Sequence, residues 1–163
     1  MDFNDRFGQP NSVYPCTKAL TFGPWIYMVP PYKPKNVLIL GYAGGTVAGL
    51  IKLLYGELPI TAVDIESCED RYNVNFIQKD ARDFVKTCDK FDSVVVDLSC
   101  NDEIGMCDFI TSKEFAEDAL KIADFVAVNT IGETNMGEWG EKIGINQPTN
   151  SINKIYYYGK IPS

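Results

Sequence analysis

The chain has 163 residues, 45% hydrophobic and 23% charged, which suits one soluble globular domain with its own core and leaves little room for a second. Fifteen basic against 22 acidic residues give a net charge of −7, which argues against a general nucleic-acid binder, whose face must neutralise phosphates. Histidine is absent, which removes Ser-His-Asp and Cys-His catalytic pairs and the commonest zinc ligand.

Cys16, Cys68, Cys88, Cys100 and Cys107 show no CxxC spacing, so they read as reduced, partly buried thiols. No metal site is expected, and a reducing, cytoplasmic compartment is. No charged-then-apolar leader opens the chain, so a secretory signal is not expected. The longest uncharged apolar stretch, Val37 to Ile51, has 15 residues and four glycines and falls short of a membrane span.

In chain order, Met1 to Ala19 is polar and irregular, an N-terminal arm over residues 1–20 that is either mobile or laid as a strand on the domain edge. Trp25 to Val29 reads as a short apolar helix, its start marked by Thr21 or Gly23 before a proline at the first turn and its end by Pro30-Pro31. Val37–Leu40 is a bare run of β-formers without a solvent face, as expected of a central parallel strand. Gly41 to Thr46 breaks it with small residues, Val47 to Tyr55 has helical spacing, and Ile60–Val63 is a β-branched run ending on Asp64. Strand, glycine turn, helix, strand and acid are the signature of a nucleotide-binding βαβ unit.

Ser67 to Asn73 is too short for a normal crossover helix before the next strand, Val74–Gln78. Either the crossover is pared to one turn or the strand pairing there is unusual. Ala81 to Cys88 reads as a helix, and Ser93–Val96 as a strand ending on Asp97 before a polar loop, Ser99 to Asp108. Thr111 to Glu114 matches a capping box with Thr111 as N-cap, and the helix it opens carries Phe115, Ala116, Ala119, Leu120 and Ile122 at helical spacing. Phe125–Val128 closes on Asn129, Thr130 to Pro148 is glycine-rich with a weak helical patch at Trp139, and Ile152–Ile161 alternates as an edge strand. The whole reads as a single α/β domain over 1–163, with its core at 36–130. Its sheet is doubly wound and mostly parallel, with an antiparallel C-terminal edge strand at 152–161.

Carboxyl ends of parallel strands share one sheet edge, so Gly41, Asp64, Asp80 and Asp97 should line one crevice. Asp64 could instead cap a helix, and Asp80 could be the N-cap of the helix it precedes. Asp97 has no capping pattern behind it and reads as functional. Glu66, Asp102 and Glu103 read as solvated loop charges, and Lys52, Lys79 and Arg82 have no partner recognisable from sequence.

VLILGYAGGTVAGLI followed by AVDIE resembles the first motif and acidic second strand of class I S-adenosylmethionine-dependent methyltransferases, the spermidine synthase-like group above all. KDARDF, FDSVVVDLS and FITSKEFAEDALKIADFVAVNT are similar to that group's later motifs, over roughly residues 36–130. The resemblance implies a Rossmann-like fold in which Gly41, Ala43 and Gly45 surround the methionine moiety of S-adenosylmethionine, or of its decarboxylated form. Asp64 would hold the ribose hydroxyls, Asp80 with the Ala81 backbone the adenine amino group, and Asp97 would face the sulfonium and the acceptor as the catalytic residue. Spermidine synthases carry a second aspartate three residues after the position of Asp97; Cys100 stands there, and Asp102 is out of register.

The implied activity is a minimal methyltransferase acting on a small-molecule or peptide acceptor, with Asp97 as orienting acid or base and Ser99, Cys100 or Asn101 as positioning groups. Aminopropyl transfer to an amine is an alternative that suits the acidic balance. A cofactor-binding or interaction module without turnover is another. A nicotinamide dehydrogenase ranks lower, because Gly41-x-Ala43-x-x-Thr46 fits GxGxxG poorly at its last position.

Overall fold

The computed structural model describes residues 3–4, 10–21, 23–68, 72–99, 106–148 and 151–162. Two short antiparallel strands, β1 (Phe3–Asn4) and β2 (Pro10–Ser12), precede 3-10 helices at Cys16–Leu20 and Trp25–Met28. Then follow β3 (Val37–Leu40), α1 (Thr46–Tyr55), β4 (Ile60–Asp64), β5 (Asn75–Gln78), α2 (Ala81–Thr87) and β6 (Phe91–Val96). A 3-10 turn at Asp108–Thr111, α3 (Lys113–Ile122), β7 (Ala123–Ile131), a 3-10 turn at Gly137–Trp139, β8 (Gly144–Asn146) and β9 (Asn153–Gly159) complete the order.

The period of two along the central strands sets the layers. In β3, Leu38 and Leu40 point to one face, where α2 and α3 pack with Val85, Phe115 and Ala119. Val37 and Ile39 point to the other, against Leu50 and Ile51 of α1 and against Trp25 and Met28. All four β3 residues are buried, as a strand covered on both faces requires. The main sheet runs β5-β4-β3-β6-β7-β9-β8, with β5, β4, β3, β6 and β7 parallel and the last two pairings antiparallel. This is a doubly wound, Rossmann-like sheet with an antiparallel C-terminal edge, as expected. The rim is the short β8, not anticipated from sequence, and β9 lies one position inside it.

The β4–β5 pairing is ordinary and parallel, so the brevity of the 67–73 connection does not disturb the sheet. The helix cap is shifted by one residue and the capping box is not formed, because N3 is Phe115. Ser112 is the N-cap, accepting from the Phe115 N–H at 3.2 Å, because Thr111 ends the preceding 3-10 turn and its hydroxyl donates to the Asp108 carbonyl at 3.0 Å. Glu114 pairs instead with Lys86, at 2.6 Å. Cys16, Cys68 and Cys88 are free thiols, but Cys107 is disulfide-bonded, which corrects the expectation of five reduced cysteines. Among the described residues no helix is long and apolar enough to cross a membrane, and no three acidic or cysteine side chains are grouped to hold a metal.

The described part of the N-terminal arm is docked on the glycine turn. Ser12 and Val13 are buried, and the Ser12 hydroxyl accepts from the Gly44 N–H at 2.9 Å. Thr46, also buried, accepts from the Val13 N–H at 2.8 Å and donates to the Val13 carbonyl at 3.0 Å. Gly49 leaves the notch that seats Cys16; a Cβ there would lie 2.8 Å from the Cys16 Cβ. Thr46→Val keeps the shape but leaves both Val13 groups buried without partners. The expected cost is about 2–3 kcal/mol, read in urea unfolding, together with faster proteolysis between residues 13 and 20. An unchanged midpoint and an unchanged cleavage rate would show that the arm is not held this way.

Candidate functional site

Strand order reverses between β3 and β6, the place in an open α/β sheet where the strand ends leave a crevice. The parallel register sets Leu40 beside Val63 and Val96, so the residues that follow these strands emerge together. The Gly41 N–H donates to the Val63 carbonyl and the Asp97 N–H to the Leu40 carbonyl, both at 2.8 Å. Gly41 has φ +93°, and a Cβ on it would sit 2.1 Å from the Asp97 carbonyl oxygen. Only glycine permits this contact.

The crevice opens into a cavity of about 430 Å³, a size suited to a small-molecule ligand. Of the residues singled out from sequence, Gly41, Ala43, Asp64, Asp80, Ala81 and Asp97 all lie on its wall. Gly45 does not line it; with φ +82° it is the N-cap of α1, where a Cβ would meet the rings of Tyr42 and Tyr72. Cys100, Asn101, Asp102 and Glu103 lie outside the described residues. Ser99 is exposed at the rim.

The turn itself is saturated. Asp64 accepts the Tyr42 and Ala43 N–H groups on Oδ2, at 2.9 and 3.3 Å, and the Glu66 N–H on Oδ1, at 3.0 Å. The Gly44 N–H goes to Ser12 and the Gly45 N–H to the Tyr42 carbonyl. Every backbone N–H from Gly41 to Gly45 therefore has a partner within the chain, and none is left to cradle a phosphate. Asp64 is not a helix cap; it ties the turn to the end of β4.

Asp80 is the N-cap of α2, accepting from the Arg82 N–H at 2.9 Å. The Arg82 side chain adds bonds of 3.1 and 2.8 Å to the same carboxylate, which hold its pKa below the ordinary range. The Arg82 guanidinium lies 4.6 Å over the centre of the Phe109 ring, forming a stacked wall. Phe109 and Arg82 were legible only as an aromatic after a loop and a cation two residues past an acid, and neither pattern marks a site.

Asp97 is half-buried, and its Oδ1 accepts from Asn129 Nδ2 at 2.9 Å. Burial pushes its pKa up to about 6, with the Asn129 bond opposing and the Asp64 charge adding to the rise. Burial, with Asp64 nearby, also pushes the Cys68 thiol up to about 12, so this wall cysteine is an uncharged thiol. The cavity thus offers a rigid carboxylate at Asp64, a capped one at Asp80 and a carboxyl at Asp97 poised to change charge near neutrality.

No protein-family model matches the sequence, and no curated protein is similar to it in sequence. Solved structures do match. The chain superposes on human methyltransferase-like protein 13, determined in complex with SAH, with a TM-score of 0.61 and 16% identity over 90% of this chain and 80% of that one. TrmN from Thermus thermophilus gives 0.58 and 16% identity over 94% of this chain. A spermidine synthase in complex with the transition state analogue AdoDATO gives 0.57 and 15% over 81% of this chain. The chain spans 54% and 56% of the length of those last two. The chain therefore has the Rossmann-like fold seen in class I S-adenosylmethionine-dependent methyltransferases and in spermidine synthase.

Proposed function

We propose that the chain works as one cofactor-binding domain that takes S-adenosylmethionine and transfers its methyl group to a small-molecule or peptide acceptor. The observation that carries this reading is the saturated turn: the crevice lies at the switch point of the sheet yet has no free N–H from Gly41 to Gly45 for a pyrophosphate. That favours an adenosyl ligand without phosphates over a dinucleotide. The wall fits such a ligand. A carboxylate has about four acceptor sites. Asp80 accepts three hydrogen bonds within the fold, which leaves about one site for an adenine amino group, and Asp64 accepts three backbone N–H groups with the Cys68 thiol beside it, which a ribose hydroxyl would displace. Asp97 would lie against the sulfonium and the acceptor.

S-adenosylmethionine supplies a methyl group already activated by its sulfonium, so the protein's part is alignment with one acid or base. Asp97, with its raised pKa, can take a proton from an amine or hydroxyl acceptor near neutral pH. Isothermal titration with S-adenosylmethionine and with its demethylated product is expected to give saturable one-site binding for both. Folded protein that takes up neither at millimolar ligand would overturn the reading. Aminopropyl transfer is the second reading, supported by the acidic wall and by the likeness to spermidine synthase. It predicts tighter binding of the decarboxylated cofactor than of the carboxylated one.

A further inference from the structure

Asp97 stands at the end of a directed chain of side-chain hydrogen bonds that crosses three strands. The Ser151 hydroxyl donates to Asn153 Oδ1 at 2.9 Å, Asn153 Nδ2 donates to Asn129 Oδ1 at 3.0 Å, and Asn129 Nδ2 donates to Asp97 Oδ1 at 2.9 Å. The topology builds it. Val96 pairs with Val128 in parallel register, which sets Asp97 beside Asn129 just past the end of the pairing. The antiparallel β9 begins at that same edge, with Asn153 opposite Ile131 and Ile155 opposite Asn129. Asn153 is itself pinned, because its backbone N–H donates to Ser151 Oγ at 3.1 Å and its Nδ2 also reaches the Thr130 carbonyl at 3.5 Å. Asp97 Oδ2 has no hydrogen-bond partner among the described residues, while the residue lines the cavity.

We propose that Asn129 and Asn153 are positioning residues for Asp97, an amide relay that clamps one carboxyl oxygen and leaves the other as the acceptor presented to the ligand. Resting on the reading of Asp97 as the helper in transfer, this adds residues that touch neither cofactor nor acceptor. Each member of the chain donates towards Asp97, so the relay stabilises the ionised form over the protonated one. An asparagine suits the middle positions because it donates and accepts at once and holds no charge of its own. The other ionisable groups around Asp97 on the cavity wall are Asp64, Glu66, Lys79, Asp80 and Arg82, with the Cys68 thiol neutral. Asp64 is the one whose charge acts against ionisation of Asp97, and the relay counters both it and burial.

The test uses the 163-residue chain without ligand, so it does not depend on cofactor binding. The carboxyl carbon of Asp97 is followed by NMR against pH in the wild type, Asn129→Ala, Asn153→Ala and Ser151→Ala, with assignment by Asp97→Asn. Losing a donor to a charged acceptor is expected to move the Asp97 midpoint up by about one pH unit in Asn129→Ala. A smaller upward move is expected in Asn153→Ala and the smallest in Ser151→Ala, since each lies one bond further away. Asn153→Ala and Ser151→Ala are half-buried sites outside the cavity wall and give the reading if Asn129→Ala does not fold. Midpoints equal to wild type in Asn153→Ala and in whichever other variants fold would overturn the relay. A protein that shows the graded shifts yet binds no S-adenosylmethionine would overturn the proposed function and leave the relay standing.

Discussion

Gly41→Ala is expected to destabilise the protein by about 3–4 kcal/mol, a large share of the roughly 5–15 kcal/mol that holds a domain of this kind together. Two costs add. The residue sits at φ +93°, where an L side chain is strained, and its Cβ would fall 2.1 Å from the Asp97 carbonyl oxygen and 2.7 Å from the carbonyl carbon. Both obstacles are backbone, so no rotamer change relieves them. Relief requires β3 and the residues after β6 to separate, and that would break the 2.8 Å bond from the Asp97 N–H to the Leu40 carbonyl. The same movement displaces Asp97 from the cavity wall, so cofactor binding should fall with stability. Urea unfolding of the variant beside wild type measures the first effect and calorimetric titration at low temperature the second. A variant within about 0.5 kcal/mol of wild type would show that the two strand ends are not in contact as described.

Asp97→Asn is expected to do the opposite to stability while removing function. The folded pKa, about 6, lies above the ordinary aspartate value near 4 that the unfolded chain keeps. Between those two values the native state holds a proton that the unfolded state has released, so wild-type stability falls as pH rises through that window. Above it the ionised, half-buried carboxylate costs the fold about 2–3 kcal/mol. Asparagine resembles the protonated form and keeps an oxygen for Asn129, so the variant should gain about 2 kcal/mol over wild type at pH 7.5 and nothing near pH 4. A difference that does not change with pH would remove burial as the cause.

Binding should carry the complementary signature. A cationic sulfonium favours ionised Asp97, so wild-type affinity for S-adenosylmethionine should rise as pH increases through about 6. The uncharged thioether product should show no such rise, and Asp97→Asn should flatten the profile for S-adenosylmethionine. Transfer by the variant should drop on the order of 100-fold, the usual weight of one acid or base. A stabilised variant with undiminished transfer would leave Asp97 structural and move the helper's role elsewhere on the wall.

Much of this site was readable from local pattern. Val37–Leu40 and the valines before Asp97 read as strands because uninterrupted β-branched and leucine residues need cover on both faces, and Ile60–Asp64 because it is rich in β-branched residues. Once they are parallel, their ends share an edge, which is how Gly41, Asp64 and Asp97 come together across 56 positions of chain. Where two local signals compete, tertiary context decides between them. Thr111 and Ser112 both suit a cap, and only the 3-10 turn ahead of them decides for Ser112. The short β8 has three residues with no apolar period, so nothing short-range marks it; it is a strand because β9 offers it an edge. Gly45 belongs by sequence to the small-residue turn, and in the fold it is the N-cap of α1.

Local sequence marks the sheet's core strands, the glycine at the switch point and the acids at the strand ends, because each depends on residues only a few positions apart. What those groups are free to do depends on contacts made across the fold. Ser12 takes the Gly44 N–H across 32 positions, Asp64 takes the Tyr42 N–H across 22, and Asn129 reaches Asp97 across 32. A hydrogen-bond donor carries no mark in the sequence of whether a distant partner will claim it. Here partners more than 20 positions away take four of the turn's five N–H groups and one oxygen of Asp97, which no local pattern announces.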